Sequence, residues 1–166
     1  PMVVICSNDS YLDKYDMISN IKEGGVFFYV TSLSETELLA KMTNDVKRIL
    51  KIKDIKVFTI DAYGIANKYG LENKVSMIME RALFKLIGII DDDNVEAYML
   101  EHINKNFAHK GEEIIKANID AIKDVLSSIK YVKLDDKYNN DKTEISMCNN
   151  KIFKMINELK CNDLKV

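Results

Sequence analysis

The chain contains two short runs in which almost every position is apolar, without the alternation of a half-exposed strand. Residues 26–30 (VFFYV) follow a glycine pair, and residues 57–60 (VFTI) precede an aspartate. Such runs are typical of strands buried on both faces, as in a parallel sheet covered by helices. Residues 2–6 (MVVIC) have the same character, so the pattern predicts three parallel strands.

Helical periodicity separates these strands and continues through the second half of the chain. Ser34 and Glu37 form a capping box that predicts a helix from residue 34 to residue 50. Three further apolar stripes with helical spacing follow, over residues 75–90, 95–103 and 115–129. The order of elements predicts an α/β fold with a mostly parallel, Rossmann-like sheet and a helical C-terminal half.

The last part of the chain is polar or only weakly periodic. Residues 131–144 show little apolar periodicity and are interpreted as a linker. Residues 145–160 place Ile152, Ile156 and Leu159 in phase and predict one further short helix. We therefore predict a domain over residues 1–130, followed by a linker and tail over residues 131–166.

Composition and charge exclude several classes of protein. The 166 residues include 24 Lys+Arg and 26 Asp+Glu, so the chain lacks the basic field of a nucleic-acid-binding protein. No apolar run approaches the ~20 residues that a membrane-spanning helix needs, which predicts no membrane association. The three cysteines have no paired spacing, which indicates a reducing compartment and hence the cytoplasm.

The sequence lacks the short motifs of several self-sufficient active sites. No GxGxxG or P-loop opens a helix, and no CxxC pair is present to ligate an iron–sulfur cluster or a structural zinc. Cys148 and Cys161 could share a metal, but two unconnected cysteines are the favoured interpretation. We therefore predict no catalytic residue and no metal site within this chain.

Two polar features of the predicted helices each allow a functional and a structural interpretation. His102 and His109 could supply a general base or a metal pair, or they could be a core histidine and a histidine at a helix end. The aspartates at residues 91–93 could bind Mg²⁺, or they could complement the positive end of a helix. The structural interpretation is favoured in both cases.

One candidate ligand site lies at the end of the second predicted strand. Ligand-binding loops of α/β sheets follow the carboxyl ends of the strands, and Thr31 and Ser32 occupy that position after residues 26–30. Their hydroxyls could contact a ligand, or the two residues could form a turn that leads to the cap at Ser34. Both interpretations stay open, and Gly24 and Gly25 flank the same strand at its start.

Four collinear groups of residues, between about residue 3 and residue 133, resemble one enzyme family. They read SYLDKYDM and IKEGGVF at 10–27, FTIDA at 58–62 with IA at 65–66 and GL at 70–71, IM…A…FKL at 78–86, and KGE with NIDA at 110–121. Their order and spacing are similar to those of the gamma domain of pyruvate:ferredoxin (flavodoxin) oxidoreductases.

The resemblance implies oxidative decarboxylation of pyruvate to acetyl-CoA. Thiamine diphosphate and iron–sulfur clusters serve that chemistry, coenzyme A accepts the acetyl group, and some members pass electrons to NADP. It also implies that this chain is a scaffold piece on the coenzyme A side, which packs against the thiamine-binding and ferredoxin-like domains and binds no cofactor alone. A glycine-rich segment precedes this stretch in the family, so we expect the N-terminal part of the gamma domain to be missing and the isolated chain to be inactive.

The resemblance and the strand-end position together give a candidate cofactor-binding set. It comprises Gly24, Gly25, Thr31, Lys74, Ser76 and Phe84. Lys74 and Ser76 stand where the family has Arg and Asn, and a lysine lacks the bidentate contact that an arginine makes with phosphate or carboxylate. The scaffold residues match the family better than the polar ones, which indicates a retained fold with altered ligand contacts.

Two alternative functions remain. The chain could be a gamma-like structural domain of a sulfite reductase flavoprotein subunit, which would explain the altered polar residues, or a stand-alone protein-interaction module. The flanking coding sequence separates the three hypotheses. A thiamine motif with a ferredoxin segment supports the first, a flavin reductase without thiamine motifs the second, and stop codons on both sides the third.

Overall fold

A four-stranded sheet with helices on both faces forms the centre of the protein. The computed structural model describes residues 1–8, 10–88 and 90–139. Within them the strands are β1 (Val3–Cys6), β2 (Val26–Val30), β3 (Lys56–Ile60) and β4 (Lys130–Val132). The helices are α1 (Tyr11–Lys14), α2 (Glu35–Lys41), α3 (Asn44–Ile52), α4 (Ala62–Lys68), α5 (Ser76–Ile87), α6 (Asp92–Phe107) and α7 (Glu112–Ser128), and 3₁₀ turns span Ala108–Lys110 and Asp136–Asn139.

The strands lie in the order β1-β2-β3-β4, which is also their order in the chain. β1, β2 and β3 are parallel, with Val3 opposite Val26 and Val26 opposite Lys56. β4 is antiparallel to β3 and pairs Val132 with Val57. The three predicted strands and the mostly parallel α/β fold are confirmed.

The apolar layer on one face of the sheet lies under α1, α2 and α3. Phe27 and Tyr29 of β2 point into it and have no exposed surface. Leu38 of α2 and Leu50 of α3 cover them from above. The helices of this layer are the crossover connections between the parallel strands: α1 joins β1 to β2, and α2 and α3 join β2 to β3.

The opposite face carries the helical second half of the chain. Phe28 and Val30 of β2 point into this layer, against residues of α4, α5 and α7. α6 lies further out and packs through Met99 and Ile103 against α5 and α7. The continuous apolar run of β2 therefore has the predicted cause, since each face of the strand meets its own layer of helices.

The single helix predicted over residues 34–50 is wrong, because the chain forms two helices there. The capping box at Ser34 and Glu37 is present and begins α2. Met42 then adopts an extended backbone and buries its side chain, and the Thr43 hydroxyl accepts a hydrogen bond from the Val46 N–H to cap α3. A second N-cap therefore restarts the helix within an uninterrupted apolar stripe.

The linker predicted from residue 131 is wrong for its first residues. Lys130–Val132 form β4, and Val132 and Leu134 are buried in the layer under α3. The ring of Tyr131 contacts Phe58 of β3, with centroids 5.4 Å apart. A strand of three residues is too short to show an alternation of apolar and polar positions. Its pairing with β3 therefore could not be predicted from the sequence. Helix α4 was likewise not predicted from the sequence.

The helical stripes of the second half are confirmed as α5, α6 and α7, with differences at their boundaries. Gly88 adopts a left-handed conformation (φ 63°) and ends α5, so Ile90 lies outside it. Among the described residues, none of the helices is both long enough and apolar enough to cross a membrane. The helix predicted over residues 145–160, and Cys148 and Cys161, lie outside the described residues.

The glycine pair at the start of β2 has a steric role. Gly24 has a positive φ of 71°, a conformation that L-residues with a side chain rarely adopt. A Cβ on Gly25 would lie 2.8 Å from the carbonyl oxygens of Lys22 and Met2, and 2.6 Å from Cγ2 of Ile21. Only glycine at position 25 lets the turn pack this closely against the chain before β1.

We expect Gly25→Ala to lower the free energy of unfolding by about 1–3 kcal/mol, the usual cost of forcing an extra methyl group into a packed site. The matched control is Glu23→Ala in the same turn, an exposed position where a substitution changes stability by about 0.5 kcal/mol or less. Urea denaturation of both variants measures the difference. Equal stability of the two variants would contradict the steric role of Gly25.

Candidate functional site

An open cavity of about 370 Å³ lies at the carboxyl ends of β2 and β3. Parallel α/β sheets place ligand sites at this edge, because the loops that follow the strands come together there. The start of α4 and the end of α7 complete the walls. The lining residues are Thr31, Ser32, Leu33, Thr59, Ile60, Asp61, Gly64, Ile65, Lys68, Asp124, Ser127, Ser128 and Lys130.

Thr31 holds the turn that follows β2. Its N–H donates to the Ile60 carbonyl over 3.0 Å, and its Oγ1 accepts from the Leu33 N–H over 3.1 Å. The turn then leads to the cap at Ser34, as the structural interpretation of the sequence predicted. Thr31 and Ser32 also line the cavity, so the turn and a ligand contact are compatible at this position.

Asp61 caps α4 at the cavity wall. Its Oδ1 accepts a hydrogen bond from the Gly64 N–H over 2.8 Å. A Cβ at position 64 would collide with the Asp61 carboxylate, so glycine is needed there for the carboxylate to lie against the helix. Part of the hydrogen-bonding capacity of Asp61 is therefore used by its own helix.

Asp124 of α7 and Lys68 of α4 form an ion pair across the cavity, with Nζ and Oδ2 2.7 Å apart. The Tyr69 hydroxyl donates to the same oxygen over 3.1 Å. The hydrogen bond from Lys68 is the largest cause that holds the pKa of Asp124 below its usual value, and the same bond raises the pKa of Lys68. Both groups stay charged at neutral pH and bring α4 and α7 together.

Lys130, the first residue of β4, is the remaining cation of the lining. It is exposed and makes no ion pair with any residue that the structure describes. The lining therefore offers two lysines and two aspartates, with hydroxyl groups from Thr31, Ser127 and Ser128 between them. This balance suits a polar ligand of low net charge better than a cluster of phosphates, which would need a surplus of cations.

The predicted cofactor-binding residues do not come together in one place. Thr31 lines the cavity, whereas Gly24 and Gly25 lie at the opposite end of β2. The five residues of β2 lie between Gly25 and Thr31, and the six steps of extended chain span about 20 Å. The two glycines shape the turn before the strand, and their assignment to a ligand site stays a prediction.

The other three members of the predicted set lie in the loop before α5 and along α5, outside the cavity lining. Lys74 is exposed in the loop before α5, and its Nζ is 3.4 Å from a carboxylate oxygen of Glu72. Ser76 is the exposed first residue of α5. Phe84 is partly buried between α5 and α6, with its ring 5.8 Å from that of Tyr98. Their ligand roles also stay predictions.

The aspartates and histidines singled out in the helices lie at separate positions of the fold. Asp91 caps α6 and accepts from the Asn94 N–H over 3.0 Å. His102 is one-third exposed, with Nδ1 3.6 Å from Oε2 of Glu80, and His109 lies exposed in the 3₁₀ turn after α6. In the described part of the chain, no three His, Cys, Asp or Glu side chains gather as metal ligands would.

An ion pair between a buried arginine and a partly exposed aspartate joins α5 to α6. Arg81 is 2% exposed, and its Nη2 donates to Oδ1 of Asp92 over 3.0 Å. Lys85 approaches the other oxygen of Asp92 to 2.6 Å, and these two cations lower the pKa of that carboxyl, Lys85 more strongly. At the start of α6, Asp91 therefore caps the helix, and Asp92 pairs with Arg81 and Lys85.

Sequence reasoning missed most of the charged residues of the cavity. Asp61 carried a usable signal, an aspartate between a strand and a possible helix. Lys68 and Asp124 lie 56 residues apart, and each resembles an ordinary charge on a solvated helix face. Only the packing of α4 against α7 brings them together.

Comparison with known proteins places this fold among the enzymes that the sequence resembles. A family model described as pyruvate ferredoxin/flavodoxin oxidoreductase matches residues 1–128. Pyruvate:ferredoxin oxidoreductase of Moorella thermoacetica is 30% identical over 171 aligned positions, and pyruvate-flavodoxin oxidoreductase of Klebsiella pneumoniae is 33% identical over 131. The alignments cover 99% and 79% of this chain but only 15% and 11% of those relatives.

A solved structure has a related fold. The crystal structure of pyruvate oxidoreductase subunit PORC from Thermotoga maritima superposes with a TM-score of 0.58 at 21% sequence identity. The match covers 80% of this chain and 66% of that subunit. At this identity the likeness concerns the fold, and it agrees with the mostly parallel sheet described above.

We expect Asp124→Asn to lower the free energy of unfolding at pH 7 by about 1–2 kcal/mol. The carboxylate is mostly buried and accepts bonds from Lys68 and Tyr69, but the exposure of Lys68 reduces the effect. Because the pKa of Asp124 is lowered in the folded state, its stabilisation is present above 3.8, its ordinary value, and is lost as the pH falls through the lower folded value.

Urea denaturation at pH 7 and at pH 3 or below tests this expectation. The difference between wild type and Asp124→Asn should shrink on acidification. Asp120→Asn, one turn earlier on α7 and without an ion pair among the described residues, serves as the control. A pH-independent difference between wild type and Asp124→Asn would show that the ion pair does not contribute.

Proposed function

This chain belongs to the pyruvate ferredoxin/flavodoxin oxidoreductase family, and from that premise we propose that it is one domain of an enzyme that oxidatively decarboxylates pyruvate to acetyl-CoA. The alignments span only 15% and 11% of two relatives that it matches, so the reaction belongs to the assembled enzyme. The names of these relatives include both ferredoxin and flavodoxin. Because both names contain pyruvate but differ in the electron carrier, the proposal concerns the pyruvate and coenzyme A side of the reaction.

Within such an enzyme, we propose that this chain is a scaffold that other domains complete. Iron–sulfur clusters need several cysteine thiolates, and the described residues offer Cys6, which is buried in the sheet. The cluster ligands and the thiamine diphosphate site would then belong to the ferredoxin-like and thiamine-binding domains, its partners in the cytoplasm. When bound there, those cofactors would supply electron transfer and the stabilisation of negative charge that decarboxylation needs.

The observation that carries the coenzyme A side of the proposal is the cavity at the carboxyl edge of the sheet. Its paired charges and its hydroxyl groups match the amide and hydroxyl groups of a pantetheine arm. Lys130 would donate to a carbonyl of the arm, and Thr31 and Ser128 would offer hydroxyl groups. The phosphates of coenzyme A would need cations from another domain, since Lys68 is already paired with Asp124.

The isolated chain should therefore bind coenzyme A weakly or not at all, because it provides contacts for only part of the molecule. Isothermal titration calorimetry of the 166-residue chain with coenzyme A measures this directly. A dissociation constant of about 1 µM or lower, equivalent to about −8 kcal/mol, would refute the partial site. Dephospho-coenzyme A and pantetheine serve as comparison ligands, and neither should bind more weakly than coenzyme A by a large factor.

Substitutions in the complete enzyme distinguish the cavity from the residues chosen by resemblance. We expect Lys130→Ala to raise the KM for coenzyme A about fivefold to tenfold, equivalent to about 1–1.4 kcal/mol, because an exposed lysine would lose one hydrogen bond, and the KM for pyruvate should be unchanged. The resemblance predicts instead that Lys74→Ala lowers activity. Lys133→Ala, a lysine next to β4 but outside the cavity, is the control.

Each result of this comparison has a definite meaning. A raised KM in Lys130→Ala alone assigns the cavity to coenzyme A. Turnover in Lys74→Ala equal to wild type removes Lys74 from the site. An unchanged KM in Lys130→Ala would show that the cavity serves another purpose, such as contact with a neighbouring domain.

A further inference from the structure

The end of α7 gives the cavity at the carboxyl edge of the sheet a wall with its own hydrogen-bonding character. Asp124, Ser127 and Ser128 all belong to the lining. The Ser127 hydroxyl oxygen lies 3.0 Å from the Asp124 carbonyl oxygen, and the Ser128 hydroxyl oxygen lies 2.8 Å from it. A carbonyl oxygen can only accept a hydrogen bond, so in each contact the serine donates its single hydroxyl proton.

The side chain of Asp124 does not change this assignment. Its Oδ1 lies 3.4 Å from Oγ of Ser127 and 3.2 Å from Oγ of Ser128. The hydrogen bond from Lys68 lowers the pKa of Asp124, so at neutral pH this oxygen also only accepts. Each serine thus gives its proton to Asp124, through one oxygen or the other. Both serine oxygens therefore offer lone pairs, and no proton, to a ligand.

The backbone of α7 gives the same wall a negative character. The last carbonyl groups of a helix lack partners within the helix, and together they act as a partial negative charge. α7 is 17 residues long, and its last turn contains no basic residue that would offset this charge. Amide N–H, hydroxyl and ammonium groups are stabilised at such a helix end, whereas phosphate and carboxylate groups are repelled.

The hydrogen-bond donors of the cavity come from other elements. Oγ1 of Thr31 accepts from the Leu33 N–H, so the Thr31 hydroxyl proton can be donated to a ligand. The ammonium group of Lys130 only donates. At the start of α4, the Asp61 carboxylate caps the helix and offsets its positive end. The cavity is therefore polarised, with acceptors along the α7 wall and donors at Thr31 and Lys130.

A neutral amide matches this polarity, because it carries an N–H donor beside a carbonyl acceptor. The next step rests on the proposed function, in which the cavity holds the pantetheine arm and its two amide groups. We propose that Ser127 and Ser128 are specificity-determining residues that accept a hydrogen bond from an amide N–H of that arm, and that the α7 wall excludes anionic groups.

Coenzyme A analogues in which an ester oxygen replaces one amide N–H test the role of the serines in the complete enzyme. Because an ester oxygen cannot donate, one of the two analogues should have a KM at least about fivefold above that of coenzyme A. In the double variant Ser127→Ala/Ser128→Ala this ratio should fall to about 1–2, since both acceptors are removed. Alanine favours the helical conformation, so α7 should remain folded.

Two control variants separate hydrogen bonding from a structural effect. Ser127→Thr/Ser128→Thr retains both hydroxyl groups and should keep the wild-type ratio of the two KM values. Ser19→Ala removes a serine hydroxyl before β2, outside the cavity lining, and should also keep that ratio. A ratio that falls in the threonine variant as far as in the alanine variant would contradict hydrogen bonding by the hydroxyl groups.

The same measurements distinguish failure of this inference from failure of the proposed function. If Lys130→Ala raises the KM for coenzyme A, but neither ester analogue distinguishes wild type from the alanine variant, the cavity binds coenzyme A and the role of the serines is refuted. If Lys130→Ala leaves that KM unchanged, the assignment of the cavity to coenzyme A and the role of the serines are both refuted.

The exclusion of anions has a readout other than activity. Inorganic phosphate at millimolar concentration should leave the backbone amide NMR shifts of residues 124–130 unchanged in the 166-residue chain. The expected result follows from the negative end of α7 and from the pairing of Lys68 with Asp124. A saturable shift of these amides on addition of phosphate would overturn the exclusion.

Discussion

The burial of β2 on both faces is the constraint on which the rest of the structure depends. Successive side chains of a strand point in opposite directions, so Phe27 and Phe28 enter different apolar layers. Burying one such ring stabilises the fold by roughly 1.5–3 kcal/mol, and neither layer can be left to water. Helices therefore cover both faces, and polar groups from different strands can meet a ligand only at the rim of the sheet.

The same constraint explains which elements could be predicted. A strand buried on both sides appears in the sequence as an uninterrupted apolar run, and β1, β2 and β3 were recognised in that way. The break between α2 and α3 left no such mark, since Met42 continues the apolar stripe while its backbone leaves the helix. β4 was missed because, of its three residues, only Val132 is buried.

The candidate site was predictable only where it follows directly from a strand. Thr31 could be placed at the sheet edge because it comes directly after β2. The ion pair of Lys68 with Asp124 depends on two helices that meet only in the folded chain. Gly24 and Gly25 show the opposite error, since they are near Thr31 in the sequence but at the far edge of the sheet. Resemblance identified the family, but the arrangement of charges in the cavity needed the structure.

The antiparallel direction of β4 determines how this unit can be joined to others. β1 begins at the amino edge of the sheet, beside the start of β2, and β4 pairs Val132 with Val57, so it also runs back towards that edge. The chain thus enters β1 and leaves β4 at the edge of the sheet remote from the cavity. The segments that lead into β1 and out of β4 are therefore kept apart from the carboxyl edge, where the cavity lies.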